Sequence, residues 1–416
     1  MTQLDLDINN YRDMGKLANI FHFGKEVEKK ERETRYILTI DGGGMRGIIP
    51  ARVISHLSRI LREMGDERPF HSHFDLVAGT STGGFLAAGI TCPRECCNLD
   101  ADLLDEFPVS HMEKEKGFFK KPYKVDDGLI RRAPDPEMLE KLYSEEGWRI
   151  FQKPTLSLFG PIFQDKYDCR NLERFLYETF GDTDLRELLT PTAIISYETK
   201  SGSPYIFRSY DDHDFKIREA LRATSAAPTY FAPIELTDRI TGERIICIDG
   251  GDGANNPSML AYLEAKRLYP NADEFRMLSL STGKGPYSFD PTRNTGGFTG
   301  WASSITKVYS TAQETLSRIY ADAMPDLRVL RIFSNELERR ISLDDVSRES
   351  ITALEDAAEK VFANQEKEIR KFASDLASSA THLDSVKLRK KGTPLLSDEA
   401  PSSSSADSSN TLPSLP

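Results

Sequence analysis

The sequence predicts an α/β layered domain with a largely parallel central sheet. A strand-like run at 36–40 is followed by a glycine turn and then by a helical pattern of apolar residues. The same order returns at 74–90, where an apolar run leads through a second glycine turn. Strands that alternate with helices favour parallel pairing, with helices covering the sheet. Further strand-like runs lie at 192–197, 204–208, 245–249, 276–281 and 328–333.

Composition divides the 416 residues into several parts. Residues 1–34 are polar and are predicted to form an N-terminal appendage, and the main domain is predicted to cover 35–335. Within that domain the stretch 92–165 is rich in proline and charge, which indicates an irregular insertion or lid. A helical segment is predicted at 336–391. The serine-rich end at 392–416 has too little apolar surface to fold and is predicted to be disordered.

Charge and hydropathy exclude several classes of protein. The net charge of −11 argues against a nucleic-acid partner, because binding phosphates requires an excess of lysine and arginine. No apolar run reaches the ~18 residues of a transmembrane helix, and the polar N-terminus lacks the pattern of a secretory signal. Five cysteines without framework spacing fit reduced thiols. We therefore expect a cytoplasmic protein without metal or cofactor, with only peripheral membrane contact.

The strongest local motif is the G-x-S-x-G around Ser81, which lies between an apolar run and a helical pattern. At a strand-to-helix junction such a motif forms a nucleophile elbow, in which small neighbours permit a strained turn that exposes the serine hydroxyl. The helix that follows directs the positive end of its dipole toward the serine. The alternative is a glycine-rich turn made for packing.

A serine nucleophile needs a base, and the seven histidines offer a poor one. Only His382 follows both Ser81 and Asp249, in a polar segment near the serine-rich end, so a triad in the usual order is poorly supported. Asp249 closes the apolar run 245–248 and is followed by glycines that leave room for a close approach. An exposed aspartate has a pKa near ~3.9, so Asp249 would have to bond Ser81 in a partly dry site. The alternative is that Asp249 is a turn aspartate whose side chain bonds its own backbone.

A third glycine-rich segment spans 41–47, between the first strand and the first helix. Glycines there let backbone N–H groups converge on an anion. Its G-x-G-x-x-G spacing also fits a dinucleotide fingerprint, but the next strand ends in Val77, Ala78 and Gly79 where that motif expects an acidic residue. An oxyanion hole that binds a tetrahedral intermediate explains these glycines better.

Together these segments resemble the patatin-like phospholipase family. Residues 37–50 resemble the family's glycine-rich oxyanion motif, 79–84 its serine elbow and 248–251 its aspartate motif, in the family's order. The resemblance covers roughly 36–335, with lesser matches at 223–233, 255–257 and 278–285.

This resemblance implies a three-layer α/β/α sandwich. It also implies calcium-independent hydrolysis of acyl esters in phospholipids or lysophospholipids, through a Ser-Asp dyad and an acyl-enzyme. The family's roles fall on Ser81 as nucleophile, Asp249 as its partner, the backbone of Gly42, Gly43 and Gly44 as oxyanion hole, and Arg46 as the residue that holds the loop.

Two positions depart from the family's usual pattern, and several interpretations stay open. Ser281 stands where glycine is more common, and Asp252 adds a carboxylate close to Asp249 that could raise its pKa. A soluble carboxylesterase or thioesterase is one rival function, and a lipid-binding or storage protein with vestigial activity is another. The stretch 114–124 interleaves lysines with aromatic residues, which suits either an anionic lipid surface or a solvated loop. A protein or small-molecule activator is left open.

Overall fold

The computed structural model describes residues 33–97, 106–113, 123–152, 165–283, 297–333, 337, 339 and 341–379. Several predictions concern residues outside those ranges: the appendage up to residue 32, the lysine-rich stretch at 114–122, His382 and the serine-rich end at 392–416. Among the described helices none is long and apolar enough to cross a membrane.

Strands and helices alternate along most of the described chain. The strands are β1 (Thr34–Ile40), β2 (Leu76–Thr80), β3 (Glu106–Glu113), β4 (Tyr123–Arg131), β5 (Thr192–Glu198), β6 (Ser203–Arg208), β7 (Ile234–Thr237), β8 (Arg244–Asp249), β9 (Glu274–Leu280) and β10 (Leu327–Ile332). The helices of more than four residues are α1 (Ile48–Glu63), α2 (Thr82–Thr91), α3 (Pro136–Glu146), α4 (Cys169–Phe180), α5 (Ile217–Thr224), α6 (Ser258–Leu268), α7 (Gly297–Ala323) and α8 (Arg348–Ser378), and a single helical turn covers Gly251–Ala254.

Eight strands form the central sheet, in the order β10-β9-β1-β2-β5-β8-β7, with β6 also paired to β5. The five strands β10, β9, β1, β2 and β5 are parallel to one another. The other three strands pair in the antiparallel sense. Since parallel strands end at one edge of a sheet, the turns that follow β1, β2 and β9 lie side by side.

Two hydrophobic clusters lie on the two faces of this sheet. On β1, Leu38 and Ile40 belong to the larger cluster, whereas Ile37 belongs to the smaller one, because successive side chains of a strand point to opposite faces. Helices α1, α2, α4, α5 and α8 contribute to the larger cluster, and α6 and α7 to the smaller. The predicted three-layer α/β/α arrangement with a mostly parallel sheet is therefore confirmed.

The structure also shows what the sequence patterns did not reveal. Strand β7 has only four residues at the sheet edge, too few for an alternating pattern to stand out. The stretch predicted to be irregular, 92–165, contains the antiparallel hairpin β3–β4 and helix α3. Its regular structure escaped prediction because the two hairpin strands are rich in charged and polar residues, without clean alternation.

Candidate active site

Ser81 is the single residue between the end of β2 and the start of α2. Its φ of 53° and ψ of −120° lie in a region that residues with a side chain rarely adopt. The flanking glycines make this turn possible: a side chain on Gly79 would collide with the backbone of Gly83, and one on Gly83 would collide with the carbonyl of Ile40. The predicted motif thus forms a tight strand-to-helix turn with a half-buried serine at its tip.

Sheet register brings distant parts of the sequence to the level of Ser81. The last paired residues of β1 and β2 are Ile40 and Gly79, and those of β1 and β9 are Ile40 and Leu280. Two residues further along each strand are Gly42, Ser81 and Thr282. On the other side, Thr80 pairs with Ile195, and the next residue, Ser196, pairs with Asp249. One row across the sheet edge therefore contains Thr282, Gly42, Ser81, Ser196 and Asp249.

Asp249 is buried, with 8% of its surface exposed; it accepts a hydrogen bond from the Gly251 N–H at 2.6 Å and lies beside the Ser81 hydroxyl, which favours its charged form. Burial, with a smaller contribution from the nearby Asp252 carboxyl, raises the pKa of Asp249 to about 7, although the Gly251 N–H and the Ser81 hydroxyl oppose the shift. The Asp249 carboxyl is therefore poised to exchange a proton near neutral pH.

Each carbonyl of the three glycines after β1 receives a hydrogen bond. The Thr282 hydroxyl donates to the Gly42 carbonyl at 2.7 Å. The Arg46 backbone N–H and its Nε donate to the Gly43 carbonyl at 3.2 and 3.3 Å, and Nη1 of the same side chain reaches the Gly283 carbonyl at 3.2 Å. The Tyr143 hydroxyl donates to the Gly44 carbonyl at 2.7 Å. The loop is thus held from three directions.

The backbone amides of the same loop differ in whether they donate a hydrogen bond to another described residue. Gly42 donates its N–H to the Asn255 carbonyl at 3.1 Å, and Met45 donates to Leu343 at 2.7 Å. Within the described ranges, the Gly43 and Gly44 amides have no hydrogen-bond acceptor. Gly42 instead supplies space, since a side chain there would lie 3.4 Å from the Ser81 Cβ and 2.6 Å from the Asn255 Oδ1.

Thr224 connects the elbow to the aspartate segment, a role that sequence patterns did not reveal. Its hydroxyl accepts from the Ser81 N–H at 2.8 Å and donates to the Ile195 carbonyl. Its own carbonyl accepts from the Gly250 N–H at 3.2 Å. The sequence signal that could have pointed to Thr224 is the resemblance of its segment, 223–233, to the family. Thr224 ties β5 to the two turns that carry Ser81 and Asp249.

Tyr143 on α3 is a second unpredicted contact. Its buried hydroxyl accepts from Thr82, next to Ser81, while donating to the Gly44 carbonyl. Burial raises the pKa of the Tyr143 hydroxyl, so it stays protonated and able to donate. The segment predicted to be an insertion therefore packs directly against the glycine loop.

A charged cluster fixes the start of the glycine loop. Arg331 on β10 donates to the Asp41 carboxyl, to Glu314 on α7 at 3.0 Å and to Ser279 at 2.7 Å. Asp41 has 2% of its surface exposed, so this ion pair lies in the protein interior. The residue that precedes the glycines is held by Arg331 of β10, which Glu314 of α7 holds in turn.

Four histidines with described side chains serve other contacts. His71 bonds Thr190, His73 bonds Asp66, His213 bonds Asp238 and His56 bonds Glu359. In the described part of the chain, neither Ser81 nor Asp249 bonds a histidine, and no group of three or more His, Cys, Asp or Glu could hold a metal ion. The geometry of this region is that of a serine paired with a carboxylate.

Comparisons with known proteins point to one family. The model of the patatin-like phospholipase family matches residues 38–262. Patatin-like protein 2 of Arabidopsis thaliana is 31% identical over 64% of this chain, and the match spans 63% of that relative's length. Patatin-like protein 1 of Oryza sativa subsp. indica is 27% identical over 79% of this chain and 81% of its own length.

Among solved structures, VipD from Legionella pneumophila aligns over 79% of this chain and 67% of its own, at 12% identity and a TM-score of 0.32, a likeness too low to support an argument. The family model, by contrast, covers more than half of the chain, including the glycine loop, the elbow and the aspartate segment. The chain therefore belongs to the patatin-like phospholipase family.

Proposed function

We propose that this protein is a lipid acyl hydrolase of the phospholipase A or lysophospholipase type, with Ser81 as nucleophile and Asp249 as base. The observation that carries the proposal is that the buried Asp249 carboxyl lies beside the Ser81 hydroxyl, in one row across the sheet edge. A hydroxyl on a strained turn, beside a carboxyl whose pKa is about 7, is suited to lose its proton at neutral pH.

In the first step, Ser81 Oγ attacks the carbonyl carbon of the acyl ester while Asp249 takes the hydroxyl proton. The proton then passes to the departing alcohol, and an acyl-enzyme on Ser81 remains. A water molecule attacks this ester, with Asp249 again acting as base, and the fatty acid is released. Both half-reactions use the same two side chains, and neither requires a histidine or a metal ion.

The negative charge of the tetrahedral intermediate needs donors that are fixed in advance. The Gly43 and Gly44 amides are the candidates, because within the described residues they have no other acceptor, whereas the Gly42 amide is committed to Asn255. Helix α2 starts directly after Ser81, so its dipole favours negative charge at the same place. Arg46 supports this arrangement through the carbonyls of Gly43 and Gly283.

Lipid is the proposed substrate class, on the strength of family membership, and the protein would meet it at a membrane or micelle surface. The test is fatty-acid release from mixed phospholipid and lysophospholipid vesicles, in the presence of a chelator. Wild type is expected to release fatty acid, and the lipid consumed identifies the substrate. Ser81→Ala is expected to lower release by at least about 10³-fold, since it removes the nucleophile.

Ser201→Ala is the matched control, because Ser201 lies exposed in the turn between β5 and β6, where its hydroxyl bonds that of Ser203. It should match wild type. A Ser81→Ala variant as active as wild type would overturn the dyad. Turnover of short soluble esters without release from vesicles would favour the carboxylesterase or thioesterase alternative, and lipid binding without turnover would favour a storage or binding role.

A further inference from the structure

The carbonyl contacts of the glycine loop determine where its amides point. In a trans peptide group the N–H lies opposite the C=O, so a hydrogen bond that fixes the carbonyl also fixes the amide of the next residue. The Gly42 carbonyl shares its peptide group with the Gly43 amide, which is one of the two proposed oxyanion donors. The Gly42 carbonyl is held by the Thr282 hydroxyl at 2.7 Å.

We propose that Thr282 is a positioning residue for the oxyanion hole: its hydroxyl, bonded to the Gly42 carbonyl, orients the Gly43 N–H toward the reacting carbonyl group of the substrate. This inference rests on the proposed function, because it assumes an acyl transfer at Ser81. Thr282 touches no substrate atom itself, and it acts through the peptide group between Gly42 and Gly43.

Three features make Thr282 suited to this role. It is buried, with 3% of its surface exposed, so water does not compete for its hydroxyl. It lies level with Gly42 and Ser81 in the row across the sheet edge, two residues beyond the last pairing of β9 with β1. A side chain on Gly43 would lie 2.5 Å from the Thr282 Cβ, so the glycine at 43 is what allows this approach.

The other hydroxyl on the loop acts on a different peptide group. Tyr143 bonds the Gly44 carbonyl, whose peptide group carries the Met45 amide, and that amide already donates to Leu343 at 2.7 Å. Fixing the orientation of the Met45 amide therefore presents no free donor to the substrate. Of the two hydroxyls that hold the loop, Thr282 is the one that controls a proposed oxyanion donor.

The test is Thr282→Val, which keeps the shape of the side chain and removes the hydroxyl. With p-nitrophenyl butyrate as a monomeric ester, kcat is expected to fall about 10- to 100-fold, because losing a fixed donor costs up to about 10²–10³-fold in kcat. KM should stay within about twofold, since the donor acts on the transition state and contributes little to ground-state binding. Thr282→Ser retains the hydroxyl and should recover kcat to within about threefold of wild type.

The matched control is Thr179→Val. Thr179 lies on α4, has 4% of its surface exposed and donates to the Phe175 carbonyl at 2.8 Å, so the variant removes a comparable buried hydrogen bond outside the row. Its kcat should equal that of wild type at a similar loss of thermal stability. If Thr282→Val folds poorly, Thr282→Ala is measured instead, with the same expected fall in kcat.

Equal kcat for wild type and the folded Thr282 variants would overturn the inference while leaving the dyad intact. A fall in kcat that Thr282→Ser does not recover would also overturn it, because the hydroxyl would then not be the cause. An absence of turnover by wild type on both this ester and lipid vesicles would overturn the proposed function, and the inference with it.

Discussion

At the scale of single residues, the burial of Asp249 and its proposed role as base favour opposite protonation states of its carboxyl. Its burial makes the charged form unfavourable, whereas its proposed role as base requires that form. The outcome is a carboxyl with a pKa of about 7, well above the ordinary range for aspartate. Since a base is most effective when its pKa lies near the working pH, burial of this carboxyl can favour catalysis.

The pH dependence of kcat/KM should follow the ionisation of the Asp249 carboxyl. Only the ionised Asp249 can accept the Ser81 proton, so kcat/KM should rise with pH and reach half of its plateau near pH 7. Because the Asp252 carboxyl contributes to the raised pKa, Asp252→Asn should move this midpoint to lower pH. The measurement is a set of initial rates between about pH 5 and 9, in buffers of constant ionic strength.

Glu235→Gln is the control for that profile, since Glu235 is an exposed acid on the edge strand β7 and pairs with Arg244. Its midpoint should equal that of wild type. A profile that is flat across pH 7, or an Asp252→Asn midpoint that shifts upward, would contradict the assignment of Asp249 as the titrating base.

At the scale of elements, sequence patterns predicted local units and missed the long-range ones. The unit from β1 through the glycine loop to α1, and that from β2 through Ser81 to α2, could be predicted because strand, turn and helix follow one another directly. The antiparallel direction of β8 could not, since it depends on pairing with β5 about 50 residues earlier. The same holds for Tyr143, Thr224 and Thr282, whose contacts cross between elements.

Arg331 is the contact that joins the far end of the sheet to the site. Replacing it by Met in Arg331→Met removes the cation that faces Asp41 and Glu314, both largely buried. Breaking a buried ion pair from one side costs about 3–5 kcal/mol in the free energy of unfolding. Urea denaturation at pH 7 measures this loss directly.

Arg328→Met is the control on the same strand, because the Arg328 side chain is 64% exposed and its nearest carboxylate, Glu274, is 4.0 Å away. Its free energy of unfolding should change by no more than about 0.5 kcal/mol. An equally small change in the free energy of unfolding for Arg331→Met would show that the buried cluster does not secure the start of the glycine loop.

At the scale of the whole molecule, α8 covers α1 and the first strand. Its Phe372 ring meets the Tyr36 ring edge-on at 5.9 Å, and Phe362 stacks on His56 at 4.2 Å. Arg52 of α1 pairs with Glu359 of α8. The buried residues of α8 are Ser350, Leu354, Ala357, Ala358, Val361, Ile369, Phe372, Ala373 and Leu376. This last described helix therefore belongs to the same hydrophobic core as the elbow.

A chain that ends after Val346 should consequently lose cooperative thermal unfolding, because the apolar face of α1 would be exposed to water. A chain that ends after Ser379 keeps every contact just described and should unfold at the wild-type temperature. Calorimetry of the two shortened proteins decides the matter. Cooperative unfolding of the shorter one at an unchanged temperature would show that α8 is dispensable.

The row of residues across the sheet edge also limits where residues can be inserted into this chain or deleted from it. Ser81 and Asp249 are level only because β5 lies between them in one register. Deleting one residue within β5 would turn its following side chains to the opposite face and shift the pairing with β8 by one position. Insertions in the surface connections leave that register untouched. Relatives should therefore differ in the lengths of their loops, while the strands on either side of Ser81 keep the same number of residues.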